Sequence, residues 1–229
     1  MDVFGEALKD QFSKPPSETL WVHNNYDEPE EMPVDVYFRD EREMPDLELK
    51  ALSLCRGKVL DVGAGVGSHA LILQSRGFDV VGMDISASAV TIMKQRGLKK
   101  AIEGNIIKYS GDTYDTLLFM MNGIGLTGTI SGLTSFLKSV KSLLKPDGQL
   151  IFDSSDLSYL YQEVAFPAKG YYGEVSFRYE YKSVKGAWFK WIYVDQQTLK
   201  SLAKKQGWIV EIAFEDDQDQ YLAKLSLPK

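Results

Sequence analysis

One glycine-rich segment constrains the fold of this 229-residue chain more than any other part of its sequence. The segment Gly63-Ala64-Gly65-Val66-Gly67 follows an apolar stretch at 58–62 and precedes a helical pattern at 68–76. Glycines permit a tight turn and let a ligand approach the backbone, and the helix that follows presents free N–H groups. We therefore expect a strand-to-helix loop at the carboxyl end of a parallel sheet, where ligands bind in such folds.

The residues around this loop alternate between strand and helix patterns, which predicts an α/β fold with a doubly wound, mostly parallel sheet. Ser86 is expected to cap one of the helices, and Lys145-Pro146-Asp147-Gly148 is expected to form a turn. The predicted strands cover 58–62, 79–83, 100–103, 116–121 and 149–154, and the predicted helices cover 46–55, 68–76, 86–96 and 133–144.

Two regions depart from this alternation. Residues 1–50 are rich in proline, which excludes long helices where it falls, and they are expected to be irregular. Two β-rich segments near 174–181 and 187–194 predict an inserted hairpin. A single domain is then expected to contain an N-terminal arm or lid, a cofactor-binding core, the inserted β-hairpin, and a closing helix with an antiparallel strand pair, at 1–45, 46–155, 156–194 and 195–229 respectively.

Composition narrows the classes of partner. The net charge is −6 and the basic residues are scattered, so no nucleic acid partner is expected. No apolar run of about 18 residues is present, and the first residues lack the pattern of a signal peptide, which favours a cytoplasmic location with no membrane partner. One cysteine and two distant histidines offer no metal-ligand spacing, so no metal is expected.

Two acidic residues sharpen the prediction of a cofactor. Asp84 ends the second predicted strand, about 20 residues beyond the loop, where a carboxylate can accept hydrogen bonds from ribose hydroxyls; an Asp there could instead cap a helix. Dinucleotide loops follow Gly-x-Gly-x-x-Gly, but this sequence has Ser68 in place of the third glycine. Asp61, just before the loop, would repel a pyrophosphate but suits a cation.

Several motifs, in order, resemble those of class I S-adenosylmethionine-dependent methyltransferases, in the broad ubiquinone/menaquinone-type group. The similarity covers about residues 46–155 and 195–229, and Asn105 stands where that family usually has Asp. The matching segments resemble the glycine loop, the acidic motif after the second strand, the adenine motif, the fourth-strand motif and the turn before the fifth strand, and lie at 58–67, 81–86, 103–105, 115–122 and 143–150.

The resemblance implies a seven-stranded sheet with an antiparallel C-terminal strand and a site for S-adenosylmethionine. Asp61, Gly63 and Gly65 would hold its amino-acid part, and Asp84 would bind the ribose. Arg39 is expected either to pair with the cofactor carboxylate or to be a surface residue. The full set of expected cofactor contacts is Arg39, Asp61, Gly63, Ala64, Gly65, Gly67, Asp84, Ile85, Ser86, Asn105, Ile106, Met121 and Asn122. Of these, Ile85, Asn105 and Ile106 would lie at the adenine, and Met121 and Asn122 near the sulfonium.

The implied activity is transfer of a methyl group, by in-line displacement, to a small-molecule acceptor. No sequence motif identifies a catalytic group. His23 in the arm is the candidate for a general base, whereas His69, directly after the loop, is expected to be a packing or helix-start residue. The aromatic residues of the hairpin suit either a substrate pocket or a homodimer surface. Two alternatives stay open: a non-catalytic protein that binds S-adenosylmethionine, and an NAD(P)-dependent oxidoreductase, which the glycine spacing disfavours.

Overall fold

The computed structural model of the chain describes residues 2–162, 165–167, 169–217 and 219–228. Residues 163, 164 and 168 of the predicted insert lie outside the described residues. The α-helices are α1 (Val3–Ser13), α2 (Asp46–Leu54), α3 (Ser68–Ser75), α4 (Ala87–Gln95), α5 (Ile130–Ser139) and α6 (Gln196–Lys205). In the described ranges, no helix is both long and apolar enough to cross a bilayer.

Within the described residues, twelve strands accompany these helices. They are β1 (Leu20–Asn24), β2 (Glu30–Met32), β3 (Lys58–Val62), β4 (Asp79–Asp84), β5 (Ala101–Glu103), β6 (Tyr114–Phe119), β7 (Leu144–Ser155), β8 (Glu174–Tyr181), β9 (Val184–Lys185), β10 (Phe189–Ile192), β11 (Ile209–Glu215) and β12 (Gln220–Ser226).

The main sheet has seven strands in the order β11-β12-β7-β6-β3-β4-β5. Strands β4 and β5 pair in parallel, as do β6 and β7. Strand β12 runs antiparallel to both β7 and β11. The predicted α/β fold, with a mostly parallel sheet and an antiparallel C-terminal strand, is therefore confirmed.

The chain groups into two compact units. The first unit consists of Met1–Met44, Leu60–Tyr109 and Ser176–Phe189, and the second consists of Pro45–Val59, Ser110–Val175 and Lys190–Lys229. Each unit has its own buried apolar residues.

In the first unit, α1 packs against α4. Asp2 caps α1, because its Oδ1 accepts a hydrogen bond of 2.8 Å from the amide of Gly5. Leu8 of α1 and Leu20 of β1 are fully buried in the cluster that this packing forms. The prediction that the N-terminal residues are irregular is therefore wrong: α1 ends before the first proline, Pro15, so proline never interrupts it.

A second sheet includes the arm strands. Its order is β10-β8-β1-β2, and β9 pairs with β8. Lys182 and Ser183, with φ of 49° and 63°, connect β8 to β9 in a two-residue turn, which is the geometry that hairpins favour. The predicted strand at 174–181 is confirmed as β8, and its partner across the tight turn is β9, which lies before the second predicted strand at 187–194. Within 187–194 the structure has β10, which neighbours β8 in the sheet. Strand β8 also pairs with β1 in a register that places Leu20 opposite Tyr181.

Two predicted boundaries in the second unit are wrong. Helix α5 begins at Ile130 rather than at 133, because the Thr129 hydroxyl accepts a bond of 3.0 Å from the amide of Gly132. The predicted turn at 145–148 is instead part of β7. Leu144 lies opposite Tyr114 of β6 and Gln149 lies opposite Thr116, so β7 advances five residues where β6 advances two. Asp147 lies in this bulge with φ of 63°.

Trp208 provides a test of packing in the second unit. It is 4% exposed, and its Nε1 donates a 2.8 Å hydrogen bond to the Leu137 carbonyl oxygen. Substitution Trp208→Phe should lower the free energy of unfolding by about 1–3 kcal/mol, because a buried carbonyl loses its donor. Urea denaturation measures this change. The matched variant Trp188→Phe alters a side chain that is 49% exposed and should stay within about 0.5 kcal/mol of the parent; equal losses in both variants would contradict this account.

Candidate functional site

The glycine loop leaves the carboxyl end of β3 in a conformation that requires glycine. Gly63 and Gly65 have φ of 69° and 55°, a region that other L-residues seldom adopt. A Cβ on Gly63 would meet no heavy atom of the described residues within 4 Å, and one on Gly65 would meet only Cδ1 of Tyr37, at 3.7 Å. The loop therefore offers bare backbone to open space beside Gly63, as a ligand-binding loop needs.

The Asp84 carboxylate ties this loop to the neighbouring strand. Its Oδ2 accepts a 2.8 Å hydrogen bond from the Gly65 amide, and its Oδ1 accepts one of 2.8 Å from the Ser86 amide. Asp84 is 9% exposed, and burial raises its pKa although these two amides oppose the shift. Each carboxylate oxygen has a further lone pair, so the group can also accept bonds from two hydroxyls.

The capping interpretation of Asp84 is resolved by Ser86. The Ser86 hydroxyl accepts a 3.1 Å hydrogen bond from the Ala89 amide and so caps α4, as predicted. Asp84 bonds to the Gly65 and Ser86 amides and does not cap the helix. Asp2 is not among the predicted site residues, yet its Oδ2 accepts a bond of 2.5 Å from the Ser86 hydroxyl.

Asp61 is the second acid of the site and lies at the end of β3, 1% exposed. Burial raises its pKa to about 6, against the opposing effects of the His69 charge and the Ala70 amide. Its Oδ2 is buried and has no hydrogen-bond partner among the described residues. Buried polar atoms are nearly always bonded, so an unmatched carboxylate oxygen beside the loop suits a cationic ligand group.

The residues expected at the adenine lie on either side of β5. Ile85 is 71% exposed, a large apolar side chain left next to Asp84. Ile106 is 5% exposed and follows Asn105. Asn105 is exposed, and its Oδ1 accepts a 2.9 Å bond from the Ile107 amide. The predicted contact of Asn105 with adenine would therefore share an oxygen that already caps a short 3-10 helix, Ile106–Lys108.

The remaining loop residues also belong to the first unit. Ala64 donates a 3.0 Å bond to the Met83 carbonyl oxygen, and Gly67 donates one of 2.8 Å to that of Ala64. Gly67 is the N-cap of α3 with φ of 84°. Arg39 is half-buried directly after the 3-10 helix Asp35–Phe38. The first unit thus contains all the expected contacts except Met121 and Asn122.

Met121 and Asn122 lie in the second unit, after β6, in an unusual backbone conformation. Their φ angles are 58° and 53°, and two successive non-glycine residues in this region are strained. Asp153 Oδ2 accepts a 2.8 Å bond from the Asn122 amide, and Asn122 Nδ2 donates a 3.3 Å bond to the Ile192 carbonyl. Asn122 Oδ1 is buried with no partner among the described residues.

His23 does not face the acidic pair. Its Nε2 lies 2.7 Å from Oε2 of Glu180, and the strand register places His23 opposite Arg178. Adjacent strand residues point to opposite faces, so Tyr179 projects from the other face. Tyr179 packs against the buried cluster that includes Val66 of the glycine loop, so His23 lies on the face of the sheet away from that loop. A base role for His23 stays a prediction.

The Asp61 pKa leads to a test by stability. A carboxyl whose pKa is raised on folding makes the protein less stable as pH rises through that pKa. Substitution Asp61→Asn removes this penalty. The difference in free energy of unfolding, variant minus parent, should therefore grow by about 2 kcal/mol as the pH rises from about 4.5 to about 7.5. Urea denaturation at several pH values measures it; Asp79→Asn, at an exposed position of β4, is the control. A difference that does not change with pH would contradict the assignment.

Comparison with known proteins agrees with this geometry. The family described as a methyltransferase domain matches residues 37–211. A crystal structure of an S-adenosylmethionine-dependent methyltransferase from Bacteroides fragilis, in complex with S-adenosyl-L-homocysteine, is 39% identical, covers 100% of this chain and 95% of that chain, and superposes with a TM-score of 0.92. The PH0226 protein from Pyrococcus horikoshii OT3 is 23% identical, covers 79% of this chain and 87% of that one with a TM-score of 0.60, and shows the fold alone.

Among curated proteins, the putative methyltransferase YqeM of Bacillus subtilis is 25% identical over 104 residues, 43% of this chain. The match spans 42% of the length of that relative, less than half. The family match covers well over half of this chain. The chain therefore belongs to the methyltransferase-domain family, with the class I, Rossmann-like fold of the S-adenosylmethionine-dependent methyltransferases.

Proposed function

We propose that this protein transfers a methyl group from S-adenosylmethionine to a small-molecule acceptor. The observation that carries the proposal is the Asp84 carboxylate, held at the end of β4 by the Gly65 and Ser86 amides. A fixed acceptor at this place is what a ribose requires. The 39% identical structure from Bacteroides fragilis, which contains S-adenosyl-L-homocysteine, supports the same class of cofactor.

The residues of the first unit fit the chemical parts of this cofactor. The buried Asp61 Oδ2, which has no partner among the described residues, suits the ammonium of the amino-acid part. The open space at Gly63 admits the chain of that part, and Asp84 can receive the ribose hydroxyls. Ile85, 71% exposed, offers an apolar surface to an adenine ring. Charge, space and polarity thus match along the loop.

When bound, S-adenosylmethionine supplies an activated methyl group on a sulfonium. The protein then has to orient its ligands and exclude water, and good orientation contributes about 7–11 kcal/mol in well-aligned systems. Backbone strain of the kind found at Met121 and Asn122 occurs where a conformation serves function. Asn122 is anchored by Asp153 within the second unit, and its contact with the cofactor stays a prediction of the sequence.

The acceptor class rests on charge. The net charge of −6 opposes binding to a nucleic acid backbone. A cytoplasmic location, a homodimer formed through the hairpin and membership of the ubiquinone/menaquinone-type group stay predictions of the sequence.

Calorimetric titration tests the cofactor. The protein should bind S-adenosyl-L-homocysteine and not NAD, since the loop lacks the dinucleotide spacing. Asp84→Asn should weaken binding of S-adenosyl-L-homocysteine by about tenfold or more, because loss of a charged acceptor costs about 1.5–3 kcal/mol. Asp79→Asn, at the exposed start of the same strand, should leave affinity unchanged. Binding of NAD alone, or equal affinities for the parent and Asp84→Asn, would rule out this site.

The pH dependence of binding tests the role of Asp61. Its pKa of about 6 in the free protein should fall when a cation binds beside it, so binding releases a proton below that pH. Affinity for S-adenosyl-L-homocysteine should therefore decrease by about tenfold from pH 7 to pH 5, and Asp61→Asn should abolish most of this dependence. The same titration at each pH measures it. If the affinity of the variant changes with pH as much as that of the parent, the ammonium does not bind beside Asp61.

Methyl transfer itself separates an enzyme from a protein that only binds the cofactor. Protein with radiolabelled S-adenosylmethionine and a panel of small acceptors should release S-adenosyl-L-homocysteine with at least one acceptor. The rate should fall in Asp84→Asn in proportion to cofactor occupancy. Tight binding with no turnover on any acceptor in a cell extract of small molecules would favour the non-catalytic alternative.

A further inference from the structure

Arg96 links the glycine loop to the N-terminal arm, although no sequence motif singles it out. It is the C-cap of α4, and its side chain turns back toward the loop. Nη1 donates a 2.8 Å hydrogen bond to the Val66 carbonyl oxygen and one of 3.1 Å to the Ser68 hydroxyl. Arg96 therefore holds both the last part of the loop and the first residue of α3.

The same guanidinium also contacts the arm. Nη2 donates a 3.4 Å bond to the Phe38 carbonyl oxygen, and the group lies over the Phe38 ring at 5.4 Å from its centroid. The Ser68 hydroxyl in turn donates a 2.6 Å bond to the Tyr37 carbonyl oxygen. Tyr37 is the residue whose ring approaches Gly65. Arm and loop are thus joined by a short hydrogen-bonded network.

The chemistry of these contacts indicates a geometric role. Burial lowers the pKa of Arg96, and its hydrogen-bond partners in the described part of the chain are two carbonyl oxygens and a hydroxyl, none of them a carboxylate. A partly buried charge without an opposite charge is costly for stability. The planar guanidinium, however, can direct several donors at once in a fixed geometry, which suits a residue that sets the shape of a loop.

We propose that Arg96 is a positioning residue for the cofactor: it holds residues 63–67 in their ligand-binding conformation by tying them to the arm segment Asp35–Phe38. Packing of the segment Asp35–Phe38 against the loop and affinity for the cofactor are then coupled through one side chain. The inference rests on the proposed function, because it assigns the loop to S-adenosylmethionine.

Three variants separate positioning from stability. Arg96→Met keeps the aliphatic stem and removes every donor. Arg96→Lys keeps the charge but can reach fewer of the acceptors at once. Arg76→Met is the control. Arg76 Nη2 lies 2.7 Å from Glu41 Oε1, so Arg76 also joins a helix end to the arm, but in the described ranges its side chain bonds to Glu41 and not to the loop.

Three measurements are made on each variant of the full chain. Calorimetry gives the dissociation constant of S-adenosyl-L-homocysteine, and urea denaturation gives the free energy of unfolding. Amide hydrogen exchange measures the protection of residues 35–38 and 63–67 in the protein without ligand. This measurement does not depend on ligand binding.

Arg96→Met should weaken the binding of S-adenosyl-L-homocysteine by about tenfold, because only the fraction of molecules with an ordered loop binds it. Exchange should increase at both 35–38 and 63–67. Arg96→Lys should lie between the parent and Arg96→Met. Arg76→Met should change affinity by less than about twofold. If Arg96→Met does not fold, Ser68→Ala, which removes one hydroxyl from the network, should weaken binding by about threefold.

Affinity in Arg96→Met or Ser68→Ala within twofold of the parent, with only the free energy of unfolding reduced, would overturn the inference and leave Arg96 a structural residue. Equal losses in Arg76→Met and Arg96→Met would also overturn it, because the arm and not Arg96 would then control the loop. If the parent itself fails to bind S-adenosyl-L-homocysteine, the proposed function fails instead, a result distinct from both.

Discussion

The hydrogen bond between the Gly65 amide and the Asp84 carboxylate is the contact on which the candidate site depends. It is 2.8 Å long and joins the loop after β3 to the end of the neighbouring strand β4. Gly65 can present its amide there because it adopts φ of 55°, which glycine reaches at little cost. The second oxygen of Asp84 accepts from the Ser86 amide, so one carboxylate joins the loop to the segment that follows β4, while the Ser86 hydroxyl caps α4.

The two acids of the site differ in how they are satisfied. Asp84 is buried but bonded to two amides, whereas Asp61 has a buried oxygen with no partner in the described ranges. Burial raises the pKa of both. An unmatched buried carboxylate reduces stability, and such costs occur where a ligand later supplies the missing charge. The contrast favours a fixed frame at Asp84 and a charge-matching role for Asp61.

Most of the sheet could be predicted from the sequence because its information is local. Strand β3, the glycine loop and the Ser86 cap each depend on a few adjacent residues, and their predicted positions agree with the structure. The prolines that follow α1 favour an irregular segment, so the sequence does not predict that helix. The segment Lys145-Pro146-Asp147-Gly148 is typical of a turn, so the sequence does not predict the bulge at Asp147.

The residues around the loop could not be predicted in the same way. Arg96 lies 30 residues from Val66, and its bond to that carbonyl exists only after α4 has packed. The sequence predicts Asn122 directly after β6, but its left-handed backbone and its bond to Asp153 depend on β7. Long-range contacts of this kind leave no periodic or compositional signal in a single sequence.

The central claim is that the loop, Asp84 and Ile85 form the cofactor site, and photoaffinity labelling tests it most directly. An 8-azidoadenosyl analogue of S-adenosylmethionine is irradiated with the protein, and the labelled peptides are identified by mass spectrometry. The account predicts labelling of the peptide that contains Ile85, or of that containing Asn105 and Ile106, and loss of label when S-adenosyl-L-homocysteine is present. Labelling confined to other peptides, or label that S-adenosyl-L-homocysteine does not displace, would contradict it.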